Sequence, residues 1–424
     1  MTKTVPSVKG TRDFYPQDMA MRSWLYDNIR QVSESFGYQE YEGPFLESIE
    51  LYAARSGDEL VKEQSFVFPD RGGNLITLRP ELTPTLTRMV AQRQNELSFP
   101  LRWWSFGPFW RYERPQKGRT REFFQWNIDL IGVDTPEADA ELVAIITSFF
   151  KRVGLSPQQA VILVNNRQLM EGELASLRIG PDQKKAVFQL IDRLDKLPAP
   201  AWEELAGEIG LSLIQIADLR RLLADTDLWQ KSDSLVRFFP AIAALEASEY
   251  VRYASQIIRG LDYYTGTVFE AESISGDLRR SILGGGRYDN LVSDVGGQPL
   301  PAVGFAMGDV VISIILQELG LVPPDLGRST ADLLVTAFDE THLPASLTLA
   351  AELRSQGIKV ASYVRADKLA KQFKYADRNG IKIVLVLGPD ELAHDLVTVK
   401  DLSSGEQQNV PRTQLTERLR QLLS

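Results

Sequence analysis

Apolar side chains return every three or four residues along 18–36. Met21, Trp24, Leu25, Ile29 and Val32 fall near one face of a 3.6-residue wheel, so the chain opens with an amphipathic helix that Gly37 stops. Extended segments come next, at 67–68 and, after the turn Asp70-Arg71-Gly72-Gly73, at 75–78. A long aromatic run, 101–112, and its mate, 123–132, flank the polar stretch 113–122. Two such strands with a polar connection predict a hairpin with a mobile tip.

The texture changes at 166–250, where amphipathic helices are expected at 183–196, 201–209, 214–225 and 235–249, punctuated by PAPA at 198–201. Strand signals return at 263–271 and 279–283. A glycine-rich turn, Gly284-Gly285-Gly286, then leads toward the apolar segment that begins at Ala302. The first core is therefore expected in two pieces, 1–165 and 251–320, separated by a helical insertion at 166–250. A proline-bearing linker, LVPPDLGRST at 321–330, precedes alternating strands (332–337, 359–364, 382–387, 397–402) and helices (344–356, 368–379 and a last one from Thr413). That alternation predicts a small α/β domain over 331–424. No internal repeat or low-complexity tract appears.

Composition narrows the chemistry. The 424 residues include no Cys and two His, so a disulfide framework, a thiolate nucleophile, a Cys-ligated metal centre and a His-rich metal site are all excluded, while carboxylate-held metals stay open. His342 and His394 read as incidental. A net charge of -9 excludes a globally basic nucleic-acid coat, so any nucleic-acid contact has to be local. The N-terminus lacks the apolar run of a secretory signal, and Asp309 interrupts the longest apolar stretch, 302–316. No membrane association and a cytoplasmic location are the expectation.

Against the acidic total, residues 101–122 carry five Arg and one Lys against two Glu, a local +4. Arginine suits bidentate phosphate contact and stacks on aromatic faces. Within that segment Arg111, Glu113, Arg119 and Phe123 fall in the pattern Arg, any residue, Glu, a variable loop, then an Arg ahead of a Phe. This resembles motif 2 of class II aminoacyl-tRNA synthetases, and the wording RYERPQKGR is similar to the histidyl-tRNA synthetase family. The resemblance extends along essentially the whole chain. KGTRDFYP near the start, Leu78-Arg79-Pro80-Glu81-Leu82-Thr83, 125–129, Arg259-Gly260-Leu261-Asp262-Tyr263-Tyr264-Thr265-Gly266, Gly284-Gly285-Gly286-Arg287-Tyr288-Asp289 and Lys371-Gln372-Phe373-Lys374-Tyr375-Ala376 all match.

The fold implied is an α+β catalytic domain, an antiparallel sheet with helices, carrying a helical insertion and followed by a C-terminal α/β anticodon-binding domain. The activity implied is histidine–tRNA ligation: ATP activates L-histidine to the adenylate, which is transferred to tRNA(His). Cations around the triphosphate are the main need of that chemistry. By resemblance Arg111 contacts the α-phosphate and the substrate carboxylate, Arg119 the distal phosphates and Glu113 the adenine amino group, while Phe123 stacks under adenine. Arg259 faces the α-phosphate and, with Arg111, is the catalytic candidate. A pocket that hydrogen-bonds polar substrate atoms rejects analogues lacking them. The resemblance assigns Glu81, Thr83, Gln125, Asp129, Arg111 and Arg259 to the amino acid, with Tyr263, Tyr264 and Tyr288 at its imidazole end. Strand alternation, however, would turn Tyr263 into core packing.

For tRNA, the exposed loop residues Arg114, Gln116 and Lys117 are candidates at the acceptor end. Lys371 belongs to a second basic segment, 359–382, with seven Lys or Arg against two Asp. ATP is the co-substrate and Mg²⁺ its expected companion, with no ligands assigned. A homodimer is implied by the stretch 36–44, which corresponds to motif 1. One position departs from the family: where typical members read GFAMGLER, this chain reads Gly304-Phe305-Ala306-Met307-Gly308-Asp309-Val310-Val311, so valine replaces the arginine that contacts the γ-phosphate. The loss leaves two readings open. The chain is a charging enzyme in which another cation compensates, or a non-charging relative such as the synthetase-like regulatory subunit of ATP phosphoribosyltransferase.

Overall fold

The computed structural model of the chain describes residues 4–53, 64–194, 196–258, 263–274, 281–327 and 329–423. It separates into two compact units, one of Met1–Asp13 with Met21–Pro323, the other of Phe14–Ala20 with Pro324–Ser424.

The larger unit is built on an eight-stranded sheet. Its strands are β1 (Gln39–Glu40), β5 (Leu101–Trp110), β6 (Glu122–Ile131), β7 (Ala160–Asn166), β8 (Val251–Tyr253), β9 (Thr267–Ser273), β10 (Ser281–Arg287) and β11 (Ala302–Gly308), in the order β1-β5-β6-β11-β10-β9-β7-β8. All neighbours are antiparallel except β1 with β5 and β7 with β8. The predicted hairpin lies toward one edge: β5 and β6 pair over their full ten residues, from Leu101 opposite Ile131 to Trp110 opposite Glu122. A separate three-stranded sheet joins β2 (Leu46–Ser48), β3 (Phe66–Pro69) and β4 (Leu75–Leu78) in the order β2-β4-β3.

Alternation along β6 divides its side chains between two faces. Trp126, Ile128 and Leu130 are buried in the core, where Trp126 packs 5.5 Å from Phe149 and edge-on to Phe305 at 4.8 Å. Phe149 belongs to the helix Pro136–Arg152, to which sequence reading assigned no element and eleven residues of which are buried. Its ends were nonetheless written in the chain: Thr135 caps the first turn by accepting from the Ala138 N–H, Pro136 and Glu137 open the helix, and Lys151 and Arg152 close it. The opening helix forms at Pro16–Ser35, and Gly37 follows it with φ 78. The helices Pro181–Ile191, Ala199–Glu208, Leu213–Ala224 and Asp233–Ala244 lie in 166–250. The last stops five residues early, with Glu246 at φ 55.

Two expectations are corrected. Gly284, Gly285 and Gly286 form the body of β10 and not a turn. At Gly285 and Gly286 neighbouring groups lie too close for a side chain. A Cβ on Gly285 would meet the Gly304 carbonyl oxygen and come within 2.5 Å of the Phe305 Cβ and 2.6 Å of the Phe269 ring. The strand expected at 263–271 begins only at Thr267, so Tyr263 and Tyr264 sit in the turn before it. There the Thr265 N–H donates to the Arg287 carbonyl at 2.8 Å and its hydroxyl to Asp289 at 2.6 Å.

The smaller unit holds a five-stranded sheet of β12 (Leu333–Val335), β13 (Val360–Ser362), β14 (Ile383–Val386), β15 (Leu396–Asp401) and β16 (Gln407–Pro411), in the order β13-β12-β14-β15-β16. The first three are parallel, as the strand–helix alternation requires, and β15 and β16 are antiparallel additions. Leu333, Val335, Ile383 and Leu385 pack with Leu349 and Leu353 of the helix Leu343–Ser355 and with Leu415 and Leu419 of the helix Leu415–Leu423. β16 escaped sequence reading because it is a polar edge strand with only Val410 buried.

Gly285→Ala places a methyl group where backbone and two aromatic side chains already meet. Overpacking of this kind costs about 1–3 kcal/mol. Calorimetry is expected to show a lower melting temperature for the transition of the larger unit; an unchanged one would mean that β10 and β11 can part without cost.

Candidate active site

Phe123, Gln125, Asn127 and Asp129 line the other face of β6. At about 3.4 Å per residue, Phe123 and Asp129 stand roughly 20 Å apart, with Gln125 between them. Each end of this row carries its own cluster.

At the Phe123 end, Arg111, Glu113, Gly118, Arg119, Thr120 and Phe123 line a cleft closed on its other side by Gly308, Val310 and Val311. The structure therefore brings together Arg111, Glu113, Arg119 and Phe123, and puts Val311 opposite them. The Arg111 guanidinium lies 5.3 Å from the Phe123 ring centre and donates through Nε to the Pro80 carbonyl at 3.0 Å. Phe123 stacks on Phe109 at 5.9 Å, Phe109 lies 4.5 Å from the Arg79 guanidinium, and the far side of Arg79 meets Phe45 at 4.7 Å. The cleft floor is thus the end of one continuous stack of rings and guanidiniums. Arg79 is fully buried, bonds the carbonyls of Pro108 and Gly43, and pairs with Glu42. Glu113 pairs with Arg119 at 3.3 Å, while the Arg119 side chain stays 63% exposed and able to swing.

The wall carrying Val311 is the first turn of the helix Asp309–Glu318. Asp309, the residue before Val310, is buried. One oxygen accepts the Phe124 N–H at 2.8 Å and the other meets Arg12 at 2.9 Å. Burial raises its pKa and Arg12 opposes the rise. One carboxylate therefore ties both walls of the cleft together.

At the other end, Asp129 is buried beside Gly304 and Gly286, which lie directly across the ladder in β11 and β10. A Cβ on Gly304 would collide with the Asp129 carboxylate, and one on Gly286 would come within 2.9 Å of the Tyr264 ring. The two glycines keep a flat floor between an acid and a tyrosine. Tyr288 donates to Asp129 Oδ1 at 2.5 Å. Burial lifts the Asp129 carboxyl from its ordinary value to about 7, and the Tyr288 hydrogen bond works against that rise.

Tyr263 lies 4.9 Å from the Tyr264 ring and 6.1 Å from Tyr288, and its hydroxyl pKa is raised by burial and by Tyr264, Glu81 and Asp129. Tyr263 packs against the core, as expected, but strand alternation is not the reason, since both tyrosines precede the strand and share one cluster. Glu81 is buried there too, and Thr83 is the half-buried first residue of the helix Thr83–Arg93. Arg259 lies outside the described residues.

Sequence reading missed three contributors: Arg79, Tyr41 and Arg287. Tyr41 is half-buried with its hydroxyl enclosed, and its pKa is raised by burial and by Asp129. Arg287 is buried against Asp139 at 2.6 Å and donates to the carbonyls of Val133 and Thr135, which anchors the backbone just before Tyr288. The available signal was an arginine inside an apolar, glycine- or proline-bounded segment.

Arg114, Gln116 and Lys117 are exposed on the 113–122 loop. Lys371 is exposed in the smaller unit, on the helix Leu369–Arg378, and pairs with Asp367. His342 bonds Asp339 at 2.7 Å and His394 the Asp390 carbonyl at 2.9 Å, both local contacts. No helix among the described residues is long and apolar enough to cross a membrane.

Comparison with known proteins shows the family. A histidyl-tRNA synthetase family model matches residues 10–309 and an anticodon binding domain model matches 331–422. A histidine–tRNA ligase of Haloarcula marismortui is 37% identical over 419 residues, covering 96% of this chain and 95% of its own. The chloroplastic/mitochondrial histidine–tRNA ligase of Arabidopsis thaliana is 38% identical over 417 residues, covering 96% and 85%. The crystal structure of a histidyl-tRNA synthetase from a Nostoc species superposes with a TM-score of 0.83 at 27% identity, covering 99% of each chain. An ATP phosphoribosyltransferase regulatory subunit/histidyl-tRNA synthetase from Bacillus halodurans superposes at 0.73 with 22% identity, covering 88% and 97%, which is likeness of fold.

A carboxyl whose pKa is raised in the folded protein holds its proton more tightly there than in the unfolded chain. Stability then falls as pH rises from about 4 to about 7 and is level above. Asp129→Asn removes that dependence, so its melting temperature should exceed the parent's at pH 8 and approach it at pH 4. A variant less stable than the parent at pH 8 would show that the buried carboxylate is fully compensated.

Proposed function

The chain belongs to the histidyl-tRNA synthetase family, a family of histidine–tRNA ligases, and on that premise we propose how the row along β6 divides the charging reaction. Adenine lies on Phe123 with its amino group toward Glu113, and the triphosphate runs along Arg111 and Arg119. Histidine occupies the glycine floor. Its ammonium faces Asp129 and Glu81, with Thr83 and Gln125 completing the amino-acid pocket, and its imidazole points among Tyr263, Tyr264 and Tyr288. The histidine carboxylate then attacks the α-phosphorus and the bond to pyrophosphate breaks. Arg111, beside Phe123 in the cleft, is assigned to both the attacking carboxylate and the α-phosphate, and Arg259 to the opposite side of that phosphate. The observation that carries this reading is the single strand face bearing a stacked, arginine-lined cleft at one end and a buried acid over a glycine floor at the other. Preorganised cations beside a growing phosphoryl charge are the largest source of rate in such chemistry.

The product is a mixed anhydride that transfers histidine to the 3′ end of tRNA(His). Arg114, Gln116 and Lys117 are placed for the acceptor end and Lys371 for the anticodon side. Cytoplasmic work suits these substrates. Magnesium enters as the ion ATP carries on its phosphates. Among the described residues no group of three His, Cys, Asp or Glu could hold a metal, so no step is assigned to it. The reading as a non-charging regulatory subunit is set aside, because relatives matching nearly the whole chain are ligases and an anticodon binding domain model matches 331–422.

A homodimer is part of the proposal. Leu46, Ile76, Leu78, Phe66 and Phe68 share one face of the β2-β4-β3 sheet, and Leu46 and Phe68 are exposed on it. Apolar area of this kind marks an interface. Phe68→Asp should convert the dimer to a monomer in sedimentation experiments; a parent that is itself a monomer would refute the assignment.

Histidine-dependent exchange of pyrophosphate with ATP tests the reaction itself, and its absence with histidine binding retained would overturn the activity. Arg259→Ala should lower the exchange rate by roughly 100-fold or more, the scale of a lost transition-state donor, while ATP binding changes little. Equal losses in both would make Arg259 a binding residue only.

A further inference from the structure

The cleft described as the ATP site is short of positive charge. Its described cations are Arg111 and Arg119, and the latter already faces Glu113. The opposite wall offers Val310 and Val311, where typical relatives read Glu and Arg. An apolar side chain gives nothing to a triphosphate whose charge shifts toward pyrophosphate as the bond breaks. Arg12, the cation nearest the first turn of the helix Asp309–Glu318, is committed to Asp309 at 2.9 Å.

Lys117 adjoins the cleft lining. It stands at the apex of the tight turn closed by the pairing of Gln116 with Arg119, with Gly118 at φ 82, and Gly118 and Arg119 are themselves part of the cleft lining. Its ammonium lies 3.1 Å from Glu318. Glu318 follows Val311 by seven residues, which is two helical turns, so both occupy the same side of the helix. The loop is therefore laid along the helix face that begins at Val311. The separation along the axis is about 10 Å, which a flexible four-carbon stem covers by swinging about its own Cα together with a small shift of the loop. The tether is weak. Lys117 is 59% and Glu318 35% exposed, and exposed pairs contribute about 0–1 kcal/mol. A triphosphate outcompetes a single carboxylate for such a cation at little cost.

We propose that Lys117 exchanges Glu318 for the terminal phosphates of ATP and supplies the charge that position 311 lacks. Glu318 holds the lysine over the helix between turnovers. The inference rests on the reading of this cleft as the ATP site. It also gives Lys117 a task before tRNA binds, because pyrophosphate leaves before histidine is transferred.

The test is histidine-dependent ATP–pyrophosphate exchange with the full-length parent, Lys117→Ala, Val311→Arg and the double variant, each with its KM for ATP. Lys117→Ala is expected to raise KM for ATP by about 10-fold or more and to weaken ATP binding correspondingly. Val311→Arg in the Lys117→Ala background is expected to restore exchange to within about threefold of the parent. Glu318→Gln, which removes the competing acid, is expected to lower KM for ATP. Should Lys117→Ala leave exchange and KM unchanged and reduce only tRNA charging, the lysine is a tRNA contact alone and the proposal is overturned. A loss of exchange that Val311→Arg does not rescue overturns it as well, provided the double variant retains the parent's melting temperature; if it does not, an unchanged ATP affinity of Lys117→Ala in equilibrium dialysis serves as the refuting result. Arg119→Ala separates the two levels. Exchange insensitive to Arg119→Ala removes the ATP reading of the cleft, whereas exchange sensitive to Arg119→Ala and insensitive to Lys117→Ala removes only the role of Lys117.

Discussion

The close approach of β10 to β11, which glycine alone permits, is the constraint on which the site depends. On the core side, Gly285 lets Phe269 and Phe305 close over the strand. On the other side, Gly286 and Gly304 leave a floor beside the buried carboxylate of Asp129. Side chains at those positions would fill the cavity and push Asp129 off β6. Small residues in mid-strand usually weaken a sheet. Here the weakness is confined to a row whose outer strands are held by a core of Trp126, Phe149 and Phe305.

Two buried arginines give that floor its precision. Arg79 fixes the backbone just before Pro80 and Glu81, and Arg287 fixes the backbone just before Tyr288. Neither is placed to touch a ligand. Each satisfies its charge against carboxylates and carbonyls, so desolvation is compensated by several hydrogen bonds at once. Arg79 also extends the stack that ends under the cleft at Phe123, which links the floor of the proposed nucleotide site to the packing behind Glu81. A substrate carboxylate and an α-phosphate must meet within a few tenths of an ångström for reaction, and rigid anchoring at both ends of one strand is what supplies that alignment.

Electrostatics follows the same division. The chain is acidic overall, yet its arginines and lysines gather at the 101–122 hairpin and at 359–382. With no cysteine and with both histidines in local contacts, the chemistry falls to arginines, carboxylates and tyrosines. Asp129 sits near neutrality in its titration because burial is opposed by one tyrosine hydroxyl. A cationic group arriving beside it would complete the ionisation, so binding and deprotonation are coupled at this residue.

Much of the site was legible in the linear chain. The arginine, glutamate and phenylalanine of the hairpin declare themselves by spacing and resemblance, because a loop between two strands needs only local contacts to place them. Asp129, Gln125 and Phe123 share a face by the two-residue period of a strand. The structure decided what periodicity cannot express. It made a strand of three glycines that local propensity reads as a turn, because interstrand distance overrode backbone preference. It brought Tyr263 into the cluster, since the strand begins four residues later than its apolar pattern suggests. It showed that eleven residues of the Pro136–Arg152 helix are buried, so that this helix belongs to the core. Local rules follow from neighbours along the chain; Arg79, Arg287 and the reach of Lys117 toward Glu318 depend on partners from 29 to 201 residues away, which only packing brings together.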